Sequence, residues 1–164
     1  MDTQTFYVTV SAISFTLLGL WWVVVQSRET WRQDPARRRM AYAVSLHFLL
    51  PGAMSILSLI APDAPWLWRA TFSISGLLGV VGAVSVLRTL REEYDCPRIA
   101  RMVEWIAVPV YALVAVIALV PDLLGGLVGL GPLQLEGIAL AVLIFLGAEV
   151  AWVLMLEPAR EVPV

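Results

Sequence analysis

Hydrophobic residues run through the chain in five long blocks that are separated by short polar segments. Each block holds roughly 18 to 24 residues, which is enough for a helix rising about 1.5 Å per residue to cross a hydrocarbon core of about 30 Å. None alternates with the period of two that is typical of a membrane β-barrel. The pattern predicts an all-α integral membrane protein, a five-transmembrane-helix bundle that forms a single membrane domain over residues 1–164. The predicted helices cover about residues 5–25, 40–61, 67–87, 103–120 and 133–156.

Prolines mark the boundaries of these blocks. At the first turn of a helix the missing N–H of proline costs little, and four prolines stand at such positions: Pro35, Pro65, Pro97 and Pro132. Asp34 is the expected cap of the second helix. Two prolines lie inside predicted helices, and we expect helix kinks at Pro51 and Pro109.

Arginine placement predicts the orientation of the bundle. All eleven basic residues are arginines, and all except Arg69 lie in the connections after the first and third blocks or in the C-terminal tail. Loops that carry positive charge stay in the cytoplasm during membrane insertion. We therefore expect the N-terminus outside, the C-terminus in the cytoplasm, and a multi-pass location in the plasma (inner) membrane.

Composition supports a membrane protein and narrows its chemistry. Hydrophobic residues make up 60% of the chain and the mean hydropathy is +0.83, more than the core of a water-soluble domain of this size accommodates. The net charge is −2 and the arginines lie in loops, so no nucleic-acid partner is expected. One cysteine, Cys96, excludes an intrachain disulfide and any multi-cysteine metal site. We expect no metal and no cofactor.

Two ionisable residues, His47 and Glu149, fall well away from the ends of the predicted membrane segments. An ionisable group in hydrocarbon is costly and usually faces protein or water. His47 and Glu149 each lie about seven residues, or roughly 10 Å, from the cytoplasmic ends of their helices, so they are at matching depths. As transport or ion-binding candidates they could form a pair that carries a proton or binds a cation. The alternatives are a structural hydrogen bond that clamps two helices, or two unrelated residues that each reach a serine or a backbone carbonyl.

The third block carries small and polar residues at steps of four and three. This spacing places them along one seam of a helix. One interpretation is close packing between helices, and the other is a hydroxyl-lined pathway within one chain or around the axis of an oligomer. The transport candidates on this seam are Thr71, Ser75, Ser85 and Thr89, interspersed with Leu78 and Gly82.

Charged residues at the ends of the blocks have simpler interpretations. Glu104 and Glu136 stand near the starts of the fourth and fifth helices, where a carboxylate complements the helix dipole, and both are expected to be solvated. Arg37, Arg38 and Arg39 are candidates for contacts with lipid headgroups, although their effect on topology alone explains them.

No catalytic motif is present, so we expect that the protein is not an enzyme. Two functions remain. The first is a channel or transporter subunit for a proton, ion or small solute, acting as a homo-oligomer that associates through small-residue helix faces. The second is a non-transporting assembly, anchor or regulatory subunit that binds a partner membrane protein. In both cases the lipid bilayer is the surrounding partner.

Overall fold

The computed structural model describes residues 3–60, 64–93, 101, 103–121 and 129–156, apart from the side chains of residues 89, 90, 92 and 93. Within these ranges the protein is helical and contains no strand. The helices are α1 (Thr3–Ser27), α2 (Glu29–Gln33), α3 (Pro35–Ile60), α4 (Pro65–Glu93), α5 (Val108–Leu119) and α6 (Pro132–Leu156). A short π-helical turn, Val103–Ala107, leads directly into α5.

The all-helical prediction is confirmed, and each predicted block coincides with a helix. In the part of the chain that the structure describes, four helices are long and apolar enough to cross a membrane, namely α1, α3, α4 and α6. The fifth apolar segment, Val103–Leu119, is shorter and combines the π turn with α5. The sequence analysis did not predict α2, a five-residue helix in the first arginine-rich connection.

Successive long helices alternate in direction. Trp21 near the end of α1 donates its indole N–H to the Ala41 carbonyl near the start of α3, at 2.9 Å. At one end of the α4–α5 pair, Arg69 donates to the last carbonyls of α5, and at the other end Arg91 pairs with Glu104 in the π turn. Helix α6 begins beside the start of α1.

This alternation gathers the described arginines other than Arg69 at one end of the bundle, which we call the arginine-rich end. It comprises the end of α1, all of α2, the start of α3, the end of α4 and the π turn. Arg69 lies near the opposite end, where its guanidinium donates to the carbonyls of Ala118 and Leu119 at 2.9 and 2.8 Å. The last carbonyls of a helix lack partners inside that helix, so Arg69 stabilises the end of α5. The remaining arginines, Arg98 and Arg160, lie outside the described residues.

The α3 start is fixed by the cap that the sequence predicted. The Asp34 carboxylate accepts hydrogen bonds from the backbone N–H groups of Ala36 and Arg37, at 2.9 and 3.5 Å. These are two of the N–H groups that have no partner within the helix, and Pro35 at the first position has none to satisfy. The prediction for Asp34 is therefore confirmed.

Glycine brings α4 into close contact with α5. A β-carbon at Gly76 would lie 2.8 Å from the backbone nitrogen of Ala115, and one at Gly79 would overlap the Tyr111 ring. The buried stripe of α4 consists of Phe72, Gly76, Gly79, Ala83 and Val86, which follow one another at steps of four and three. Close packing between helices, one of the two interpretations of the small residues in this block, is what these glycines provide.

Candidate functional site

His47 lies in the interior of the bundle, where α3 meets α5 and α6. Its side chain is 5% exposed, and its ring packs edge-on against the Tyr111 ring with 5.5 Å between the centroids. Nδ1 lies 2.9 Å from the Ala43 carbonyl, and because a carbonyl only accepts, the hydrogen of this bond belongs to Nδ1. Nε2 is buried and has no hydrogen-bond partner among the described residues.

The absence of side chains at two glycines makes room for this arrangement. Gly147 of α6 faces α3 so closely that an added β-carbon would lie 2.8 Å from the β-carbon of His47. On the other side, Gly79 of α4 accommodates the Tyr111 ring. Tyr111 is 1% exposed, and its hydroxyl also has no hydrogen-bond partner in the described part of the chain.

The structure does not join His47 to Glu149. Neither ring nitrogen of His47 is bonded to the Glu149 carboxylate, which belongs to a half-buried side chain. Helix α6 approaches His47 through Gly147, and residues two apart on a helix point to different faces. The sequence analysis matched the depths of the two residues, but it had no information about the rotation of α6 about its axis.

Glu136 is the residue that sequence reasoning placed incorrectly. It was expected at a solvated helix end, yet it is 0% exposed, and both carboxyl oxygens are buried without a hydrogen-bond partner in the described ranges. Nearby, the Tyr7 hydroxyl donates to the Leu133 carbonyl, three residues before Glu136 on α6, at 2.7 Å. The Phe6 ring lies against Gly137 and covers this region.

A signal for the burial of Glu136 was present in the sequence. The inward-facing stripe of α6 follows steps of four and three, the same periodicity that was applied to the third block, and Glu136 is its first member. The carboxyl therefore points where leucine and glycine point further along the helix. The stripe consists of Glu136, Leu140, Leu143, Gly147, Val150 and Leu154, all of which are buried.

Ser14 is the fourth buried side chain that keeps an unpaired polar atom. Its Oγ has no hydrogen-bond partner among the described residues, and its β-carbon faces Gly52 of α3. Along α1, Ser14 lies seven residues, about 10 Å, beyond Tyr7. It therefore stands at a depth between that of Glu136 and that of the His47 ring.

The hydroxyls of the predicted α4 seam are arranged differently from these four groups. Ser75 is buried, Thr71 is half-buried and Ser85 is exposed. Thr71 and Ser85 donate to the carbonyls of Leu67 and Val81 one turn earlier, each at 2.8 Å. The side chain of Thr89 lies outside the described residues. Because the inward stripe of α4 is offset by one residue from most of this seam, its hydroxyls do not form a continuous internal line.

The two prolines inside predicted helices have different surroundings. Helix α3 continues through Pro51, and the Pro51 carbonyl accepts a hydrogen bond of 2.7 Å from Ser55. Proline donates no hydrogen bond to the carbonyl of His47, four residues earlier. Pro109 lies two residues after the last residue of the π turn, and such turns are frequent at functional sites.

The three candidate lipid-contacting arginines also differ from one another. Arg37 is half-buried, forms an ion pair of 3.6 Å with Asp34, and lies 5.9 Å from the centre of the Trp31 ring. Arg38 and Arg39 are exposed. Trp31 itself is buried against Trp21, so both rings belong to the bundle and not to a belt at the lipid surface. The sequence analysis had not singled out Trp31.

The described residues do not include Cys96, Pro97 or the C-terminal tail from residue 157, which the sequence analysis had noted. Within the described ranges, no group of three or more His, Cys, Asp or Glu side chains is close enough to hold a metal ion.

Comparison of the chain with protein-family models, with curated proteins and with solved structures finds no match. The arguments for function therefore come from the geometry of the buried polar groups.

Proposed function

We propose that the protein is a small proton-transporting membrane protein whose pathway runs through the interior of its own helix bundle. In this proposal all five apolar segments span the plasma (inner) membrane, with the N-terminus outside and the arginine-rich end in the cytoplasm. Retention of arginine-bearing loops in the cytoplasm supports this orientation.

The observation that carries the proposal is a set of buried polar atoms on inward-facing stripes that have no hydrogen-bond partner among the described residues. Four different helices each contribute one such residue: Ser14, His47, Tyr111 and Glu136. Burying a polar group without a partner costs about 1 to 3 kcal/mol, and more for a charged group. Four uncompensated groups in one small bundle would therefore be expensive for a purely structural interior, and ionisable residues inside membrane segments mark ion and proton pathways.

The depths of these groups suit a stepwise transfer. Glu136 lies eleven residues before Gly147, which corresponds to about 16 Å along α6 between the Glu136 carboxyl and the level of His47. Ser14 stands between these two levels. Separations of this size exceed a hydrogen bond, so transfer between levels requires bridging water molecules or movement of α6.

Each residue has a role in this proposal that its chemistry permits. The Glu136 carboxyl accepts and releases a proton near the outer end. Nε2 of His47 does the same near the middle of the bundle, since Nδ1 already carries the hydrogen that binds the Ala43 carbonyl. The hydroxyls of Ser14 and Tyr111 donate and accept hydrogen bonds along the way. The pathway lies inside one chain, so no ring of copies is needed to form it.

The test is proton flux into liposomes that contain the purified protein and a pH-sensitive dye. We expect flux driven by an imposed potential, and a loss of about tenfold or more in Glu136→Gln, which removes the ionisable group and keeps the shape. Glu104→Gln makes the same chemical change at an exposed ion pair and should leave the flux unchanged. Wild-type flux equal to that of empty liposomes would refute the proposal.

A second candidate function, a partner-binding subunit, is favoured by the outer surface of α6. Apolar grooves of about 460 and 260 Å³ flank this helix, one beside α1 and one beside α5. Ile138 and Phe145 are exposed on the same helix. If a membrane helix of another protein fills these grooves, gentle solubilisation from the native membrane should yield a stoichiometric complex that Phe145→Ser disrupts.

A further inference from the structure

A groove of about 200 Å³ opens at the arginine-rich end, between α1, α2 and α3. Two arginine side chains line it, together with three aromatic residues and Val25 of α1. The residues that matter here are Trp22, Val25, Trp31, Arg32, Arg38 and Tyr42.

The neighbouring arginines Arg28 and Arg37 already have partners, whereas the two arginines of the groove have no ion pair with a described residue. Arg28 lies 5.1 Å from the centre of the Trp31 ring, and Arg37 is paired with Asp34. Arg32 and Arg38 are both exposed, and no carboxylate of the described residues forms an ion pair with either. They come from different helices, α2 and α3, and converge on the same groove.

The charge of this region favours an anion. The segment from residue 28 to residue 39 contains five arginines and two acidic residues, which gives a net charge of +3. Arginine binds phosphate oxygens with paired N–H donors, so two exposed arginines that border one groove suit a phosphate group in particular.

The walls of the groove are held in place by the bundle. Trp31 is 3% exposed and packs against Trp21, with 5.8 Å between ring centroids, and Trp21 is hydrogen-bonded to the Ala41 carbonyl. Asp34 caps α3 immediately before Arg38. The groove is therefore preformed, which lowers the entropic cost of binding.

Below the arginines, the groove becomes apolar and opens to the lipid-facing surface. Trp22 and Tyr42 are both more than half exposed and lie one helix turn or more inside the ends of α1 and α3. Tryptophan and tyrosine of this kind are typical of the membrane interface. An acyl chain that starts beside the arginines would follow Val25 and Trp22 into the bilayer.

We propose that this groove binds one anionic phospholipid, with its phosphate between Arg32 and Arg38 and one acyl chain along Trp22 and Val25. The sequence suggested that Arg37, Arg38 and Arg39 contact lipid headgroups. In this site the two arginines are instead Arg32 of α2 and Arg38 of α3. It does not depend on proton transport, because the groove and the buried polar groups share no residue.

The protein is placed in nanodiscs that contain equal amounts of phosphatidylglycerol and phosphatidylcholine and is then purified from them. Native mass spectrometry measures which lipid stays bound. We expect one retained phosphatidylglycerol per chain. In Arg32→Gln/Arg38→Gln its apparent affinity should fall by about tenfold or more. The control Arg88→Gln/Arg91→Gln removes the same charge from the same end of the bundle and should change the affinity less than about twofold.

A second measurement keeps the proposal testable if the double variant is unstable. Phosphatidylglycerol brominated on its acyl chains should quench tryptophan fluorescence, and Trp22→Phe should remove part of that quenching while the lipid remains bound. Equal losses in the two double variants would overturn the site in favour of general attraction to an acidic surface. Displacement of the lipid by millimolar inorganic phosphate would also overturn it, because the occupant would then be a soluble anion.

Discussion

Where α4 meets α5, the two backbones are nearly in contact, because Gly76 and Gly79 leave room for Ala115 and the Tyr111 ring. Both ends of this pair are fastened, by Arg69 at one end and by the Arg91–Glu104 ion pair at the other. Helix α6 is held differently. It buries the Glu136 carboxyl, which has no hydrogen-bond partner among the described residues. Apolar grooves open on both sides of the helix.

The contrast indicates that the α4–α5 contact is tightly fixed and that the start of α6, around Glu136, is less tightly fixed, although further along α6 Gly147 lies close to α3. Close packing gives many weak contacts that a displacement would lose together, so α4 and α5 should move as one body. Around Glu136 the packed state gains less, since this buried carboxyl has no hydrogen-bond partner among the described residues. Movement that admits water to the polar interior is therefore expected at α6.

The largest effect that tests this contrast is expected from Gly79→Ala. The added methyl group would overlap the Tyr111 ring, so one helix must shift, and we expect a loss of about 2 to 3 kcal/mol in the free energy of unfolding. The measurement is reversible unfolding in mixed detergent micelles, followed by circular dichroism. In Gly79→Ala/Tyr111→Leu the loss should be smaller than the sum of the two single losses, because the residues are in contact.

Gly19→Ala is the matched control for this substitution. Gly19 is also inside a membrane-length helix, but a β-carbon there would meet nothing within 4 Å. Alanine favours a helix over glycine, so the stability should stay the same or rise slightly. Equal destabilisation in both variants would show that the α4–α5 contact is not specially tight.

An effect of opposite sign is expected from Glu136→Leu. Replacing an unpaired buried carboxyl by an apolar side chain of similar size removes a desolvation cost, and we expect a gain of about 1 to 2 kcal/mol in the free energy of unfolding. The same unfolding assay measures it. A destabilised Glu136→Leu would mean that the carboxyl stabilises the bundle, and the contrast between the α4–α5 contact and the start of α6 would be wrong.

The smallest effect is expected at the ion pair between Arg91 and Glu104. The two groups are 2.9 Å apart, with side-chain exposures of 58% and 40%, and such pairs contribute about 0.5 kcal/mol. A double-mutant cycle with Arg91→Gln and Glu104→Gln should give a coupling energy of this size that declines with added salt. A coupling above about 2 kcal/mol would instead make this pair, and not the glycine contact, the main fastening of α4 to α5.

Much of the fold was predictable because its signals are local. Pro35 and Asp34 begin α3 as expected, since a proline without N–H and a capping carboxylate act on the adjacent turn alone. The candidate site was only partly predictable. His47 is buried as expected for a membrane histidine, but its neighbours are Tyr111 and Gly147, which no separation along the sequence brings to it.

The sequence by itself determined that the chain is helical, where its apolar segments begin and end, and which connections carry arginine. Length, hydrophobicity and charge suffice for these properties because each acts segment by segment. The tertiary structure decided the rotation of every helix about its axis, and with it the burial of Glu136 and the separation of Glu149 from His47. A helix that is apolar on all sides carries little information about which side faces its neighbours, so that choice depends on where glycine allows two backbones to approach.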